Sequence, residues 1–173
     1  MNDGKEIVKG GVFMTGKSNY LMIMVESLSK KIEILEQLLE YTEEQEVLLE
    51  QPEFQMEEFG QLLDKKGELI DVLNTMDQGF EQVYERMEKE IKGRKEEYYT
   101  EILLMQQRIK NITDLSIKLE ELEHKNKEKI EAQFSQKRNE IKTFRQSKDN
   151  VNKYYRSMSK TQVVDSAFLD KKN

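Results

Sequence analysis

The sequence predicts an all-α protein: an elongated antiparallel three-helix bundle or coiled coil with a partly ordered C-terminal tail. Three observations lead there. Apolar residues recur in alternating steps of three and four along three long segments. The only proline, Pro52, and the triplet Lys92-Gly93-Arg94 stand between those segments. Charged and apolar residues each make up 36% of the 173 residues. Long helices that bury one stripe and solvate the rest satisfy that balance better than a thick globular core does.

The chain divides into a leader (1–18), a helical bundle (19–144) and a basic tail (145–173). Four of the eight glycines, Gly4, Gly10, Gly11 and Gly16, fall in the leader. It has no helical period and reads as flexible. Met14, Met22 and Met24 follow closely, so a functional start downstream of residue 1 is compatible with the sequence. From Asn19 a heptad seam begins: Leu21, Val25, Leu28, Ile32, Leu35, Leu39, Thr42, Glu46 and Leu49, broken only by Thr42 and Glu46. Ser18 or Asn19 is a suitable N-cap. Pro52 ends the segment, because proline inside a helix removes a backbone hydrogen bond. The first helix is thus expected over 19–50.

The second seam runs Phe59, Leu62, Lys66, Leu69, Leu73, Met76, Phe80, Val83, Met87 and Ile91. Gly60 and Gly67 beside it suggest a close approach of a neighbouring backbone. Gly93 marks the next break, since glycine favours the end of a helix. The third seam runs Tyr98, Ile102, Met105, Ile109, Ile112, Ser116, Leu119, Glu123, Asn126, Ile130, Gln133, Lys137, Ile141 and Phe144. It is firmly apolar to Leu122 and polar afterwards. Short links favour antiparallel neighbours, and the excess length of the third helix predicts an end that projects or folds back. Beyond Phe144 the apolar residues show no sustained period, and little stable structure is expected there in the isolated chain.

Charge is uneven. Residues 136–173 hold ten Lys/Arg against four acids, hence +6; the other eighteen cations and thirty acids leave −12 on residues 1–135. Such asymmetry suggests an interaction tail. The chain has no cysteine and one histidine, which removes disulfides, thiolate metal sites and the usual nucleophile and general-base sets. No apolar run of membrane-spanning length and no signal-like start occurs, so a cytoplasmic protein is expected, without cofactor or metal and without catalysis.

Three local patterns invite a sharper reading. Gly11-Val-Phe-Met-Thr-Gly16-Lys17-Ser18 satisfies the P-loop pattern, but a P-loop joins a buried strand of a parallel sheet to a helix, and nothing in the sequence supplies that sheet. Glu121-x-x-His124 has the spacing of a di-iron bundle ligand pair. Such a site needs two of these motifs, and His124 is the sole histidine. Tyr154-Tyr155-Arg156 in the basic tail could stack on single-stranded nucleic acid, but the acidic chain as a whole opposes phosphate binding. A membrane surface is disfavoured because the tail lacks one clean amphipathic face.

Several segments carry a resemblance: Leu35-Glu36-Gln37-Leu38-Leu39 followed by Thr42-Glu43-Glu44-Gln45, the break at Pro52, Leu63-Asp64-Lys65-Lys66-Gly67-Glu68-Leu69-Ile70, Leu119-Glu120-Glu121-Leu122 with Asn126, and the ending Phe168-Leu169-Asp170-Lys171-Lys172. Over about residues 19–173 the chain resembles the FlgN/FliT kind of flagellar chaperone; the glycine-rich leader departs from it. The resemblance implies a small helical cytoplasmic protein that holds hook-associated or filament-cap subunits before type III export, with the export apparatus as a further partner. A monomer or a homodimer fits. Clients of that kind have terminal amphipathic segments, and a partly ordered helix with unsatisfied apolar residues can dock one. Ile141, Phe144, Tyr154, Tyr155, Met158, Val163, Val164, Phe168 and Leu169 are the expected client contacts. The competing reading is a coiled-coil scaffold or assembly protein that self-associates through its seams.

Overall fold

The structure, a computed structural model, describes residues 19–136 and 147–160. Helix α1 spans Asn19–Glu50, α2 spans Met56–Ile91, a short 3-10 turn spans Lys95–Tyr98 and α3 spans Tyr99–Gln136. A fourth helix, α4, covers 147–160, and the described residues contain no strand. The all-α bundle expected from the seams is therefore present, with helix ends close to those the breaks predict.

Every described position of the three seams is buried or half-buried. Helix α1 buries more than its seam, adding Met24, Ile34, Leu38, Gln45 and Leu48. The reason is its position: α1 packs against both α2 and α3, so it needs a stripe wide enough for two neighbours. Cross-helix contacts set the directions. Lys31 meets Asp77 and Gln45 meets Lys66, so α2 runs antiparallel to α1. Between residues 42–50 of α1 and 118–129 of α3 the partners lie 75 to 84 residues apart, and later residues of α1 meet later residues of α3, so α3 runs parallel to α1.

Local chemistry ends the helices where the sequence suggests. Gln51 N–H donates to the Leu48 carbonyl at 3.3 Å, and Pro52 follows. Phe54 packs edge-on against Phe59 at 5.6 Å. These residues flank the Gln55 N-cap, which makes a hydrophobic staple that fixes how the chain enters α2. Glu57 and Glu58 in the first turn complement the helix dipole. At the other end Gly93 has φ +77°, a left-handed conformation that costs glycine little, and Arg94 N–H closes on the Ile91 carbonyl at 2.9 Å.

Two expectations are revised. A β-carbon added at Gly60 or Gly67 would meet nothing within 4 Å, so neither glycine admits a neighbouring backbone. And where little structure was expected beyond Phe144, residues 147–160 form α4 with Val151, Tyr154 and Met158 buried. Those three recur at steps of three and four, a helical stripe too short to announce itself. One such stripe is marginal alone in water; the surface left between α2 and α3 supplies the missing partner.

Candidate functional site beneath the fourth helix

Four helices meet at one level of the bundle, around a cluster of polar side chains. Thr42 and Gln45 come from α1, Lys66 from α2, Glu123 and Asn126 from α3, and Tyr154 from α4. Side-chain exposure of the ion pair is 0% for Lys66 and 4% for Glu123. An ammonium out of water requires partners on all sides. Lys66 Nζ is paired with the Glu123 carboxylate, donates to Gln45 Oε1 at 2.6 Å and lies 4.6 Å from the centre of the Tyr154 ring, a cation–π distance.

Glu123 Oε1 is the hub. Besides Lys66 it accepts the Tyr154 hydroxyl at 2.6 Å, a short charge-assisted bond. The Thr42 hydroxyl has one proton and two acceptors in reach: the Leu38 carbonyl at 2.6 Å and Glu123 Oε1 at 3.0 Å. Asn126 Nδ2 donates to the Thr42 carbonyl at 2.8 Å. Glu123 Oε2 and Asn126 Oδ1 find no donor among the described residues. Burial pushes the Lys66 pKa down, and the Glu123 carboxylate partly restores it. Burial also holds the phenols of Tyr154 and Tyr155 above the ordinary tyrosine value, reinforced by the Glu123 charge.

The cluster is sealed, since Thr42, Gln45, Lys66 and Asn126 are each 0% exposed. No substrate reaches it. What it does is join helices: one carboxylate accepts from Lys66 of α2 and Tyr154 of α4, with the Thr42 hydroxyl of α1 3.0 Å from the same oxygen. Thr42, Lys66, Glu123 and Asn126 were visible in the sequence as polar interruptions of three separate seams. Their convergence was not visible, because it depends on the relative register of the helices. Val151 gave no signal of its own, and Gln45 stood only at the end of the Thr42-Glu43-Glu44-Gln45 segment that carries the resemblance.

The expected client contacts divide between two situations. Tyr154 and Met158 are buried against the bundle, the Tyr154 hydroxyl lying 3.7 Å from the Met158 sulfur. Tyr155 is half-buried, edge-on to Tyr154 at 5.4 Å and with Lys127 Nζ 5.7 Å from its ring centre. Ile141, Phe144, Val163, Val164, Phe168 and Leu169 lie outside the described residues, as does the Gly11–Ser18 pattern. His124 is on an open face of α3, 72% exposed and 3.4 Å from Glu128. Among the described residues, no three His, Cys, Asp or Glu are grouped to hold a metal ion. Nor is any helix there long and apolar enough to cross a membrane.

The sequence model of one family, described as FlgN protein, matches residues 20–162. The chain belongs to the FlgN family. FlgN proteins form a family of flagellar export chaperones. No curated protein and no solved structure matches the chain. The FlgN span takes in all four helices and the whole polar cluster. It stops short of Val163, Val164, Phe168 and Leu169, and it begins just after the leader. The FlgN body of this chain is thus the four-helix unit closed by α4.

Proposed function

We propose that this FlgN-family chain is a cytoplasmic chaperone that binds a hook-associated or filament-cap subunit and holds it for type III export. The observation that carries the reading is the family match across 20–162. The fold supports it: among the described residues the seams of α1, α2 and α3 are buried or half-buried within one chain, which leaves no long apolar seam there to drive filament assembly.

Client contacts come from Ile141, Phe144, Tyr154, Tyr155, Met158, Val163, Val164, Phe168 and Leu169. In the client-free chain Tyr154 and Met158 already serve the core. Contact through those two requires α4 to exchange its place on the bundle for the client, whereas the residues after Lys160 need no such exchange. Ordering a segment on binding offsets part of the contact energy, which keeps affinity moderate and release easy.

Co-expression with the hook–filament junction and cap proteins, followed by size-exclusion chromatography with mass detection, tests this. A stoichiometric complex with one of them is the expected result. Elution alone, as an oligomer that grows with concentration, would overturn the chaperone reading in favour of a scaffold. Truncation after Lys160 then tests the last residues while leaving α4 in place: loss of the complex with the bundle intact is expected.

A further inference from the structure

Eight large hydrophobic side chains stand exposed among the described residues, and five of them, Met22, Ile23, Tyr99, Leu103 and Leu104, fall within the first turns of α1 and α3. Because α1 and α3 are parallel with partners 75 to 84 residues apart, those two beginnings lie level at one end of the bundle. Met22 and Leu104 also share a side. The ion pair of Glu43 with Lys118 at 3.2 Å marks the outer seam between the two helices. Met22 is three heptads before Glu43 and Leu104 two heptads before Lys118, so both return to that seam. The exposures are substantial: Met22 42%, Ile23 48%, Tyr99 67%, Leu103 41% and Leu104 36%. A concentrated apolar patch of this kind marks a surface that something covers. Helix α4 does not, since its Tyr154 sits at Thr42, about 30 Å along α1 from Met22 at 1.5 Å per residue.

We propose that the chain's own leader covers it, with Val12, Phe13 and Met14 laid over Met22, Ile23, Leu103 and Leu104. The leader joins α1 at Asn19, beside the patch. Its longest apolar run is Val12-Phe13-Met14, five to seven residues upstream of Asn19, a reach of roughly 17–24 Å when extended. Helix axes that pack lie about 8–10 Å apart, so both sides of the patch are within that reach. The tether keeps the run at an effective concentration on the order of millimolar beside the patch, which favours it over a partner in dilute solution. The glycines on either side, Gly10, Gly11 and Gly16, allow the sharp reversal that folding back on α1 requires. The leader precedes the FlgN span, so on this reading it is an addition that caps the open end of the body. The inference does not depend on the client.

Methyl-labelled NMR of the full chain tests it. Expected are nuclear Overhauser contacts from the Phe13 ring to the methyls of Ile23 and Leu104, independent of protein concentration. Phe13→Ala should abolish them and shift the patch methyls while leaving those of Val47 and Val72 in place; these two are exposed elsewhere, at 60% and 43%. Absence of the contacts in the folded full chain would overturn the proposal. So would contacts seen only between differently labelled copies, which would assign the patch to a second molecule.

Discussion

The two ends of the bundle solve the same packing problem differently. At the level of Thr42 and Glu123 four helices surround the core, and the enclosure is complete enough to bury a lysine and a glutamate. At the level of Met22 and Leu104 three helices are present among the described residues, and five large apolar side chains face outward. The pair Lys31–Asp77, at 2.8 Å with side-chain exposures of 9% and 12%, lies between these extremes. The contrast shows what α4 contributes. A three-helix bundle of thin stripes cannot shield polar groups on all sides, whereas a fourth helix turns an interrupted seam into a closed polar junction.

The sharpest way to break that contrast is to leave one charge of the junction alone. Lys66→Met should cost about 3–5 kcal/mol in urea unfolding, because Glu123 would remain buried without its counter-ion. The double variant Lys66→Met/Glu123→Leu should recover most of that stability, since apolar replacement of a whole buried pair is often neutral or better. A single variant within 1 kcal/mol of wild type would refute the closed junction.

Tyr154→Phe tests how α4 is held. It removes one hydrogen bond to a charged carboxylate, about 1.5–3 kcal/mol. The loss should appear first as faster amide exchange in 147–160, with α1–α3 little changed, because α4 adds to the bundle from outside.

Alkaline titration sharpens the same point. The folded-state pKa values of Tyr154 and Tyr155 are raised, so their contribution is full below about pH 10, the unfolded value. Above it the unfolded phenols ionise first, and stability falls by up to about 1.4 kcal/mol per pH unit per tyrosine. Lys66 has the opposite sign. Its folded pKa is lowered, so the unfolded state holds more protons between that value and 10.5, and stability rises with pH across that window. Urea midpoints measured from pH 8 to 11 should therefore fall less steeply above pH 10 in Tyr154→Phe/Tyr155→Phe than in wild type.

The smallest effects concern glycines away from the junction. Gly60→Ala and Gly67→Ala should each raise stability by about 0.5–1 kcal/mol through helix propensity, since the added methyl meets open space. Thermal unfolding would show it. A loss would mean that these glycines have a packing role absent from the static structure.

The amino-acid sequence by itself determined the body of this protein. Alternating steps of three and four, stopped by Pro52 and Gly93, specify α1, α2 and most of α3, because a helix must turn its apolar stripe to a neighbour and proline or left-handed glycine ends it. The same patterns carried the resemblance that the family match then bore out. The tertiary structure decided what the polar seam residues are for. Thr42, Lys66, Glu123 and Asn126 each weaken a stripe when read alone. Only the parallel register of α1 with α3 and the antiparallel register of α1 with α2 bring them to one level, where Lys66 pairs with Glu123 and Asn126 bonds the Thr42 carbonyl. It also decided that 147–160 folds onto the bundle, because Val151, Tyr154 and Met158 make a stripe too short to stand without the groove that receives it.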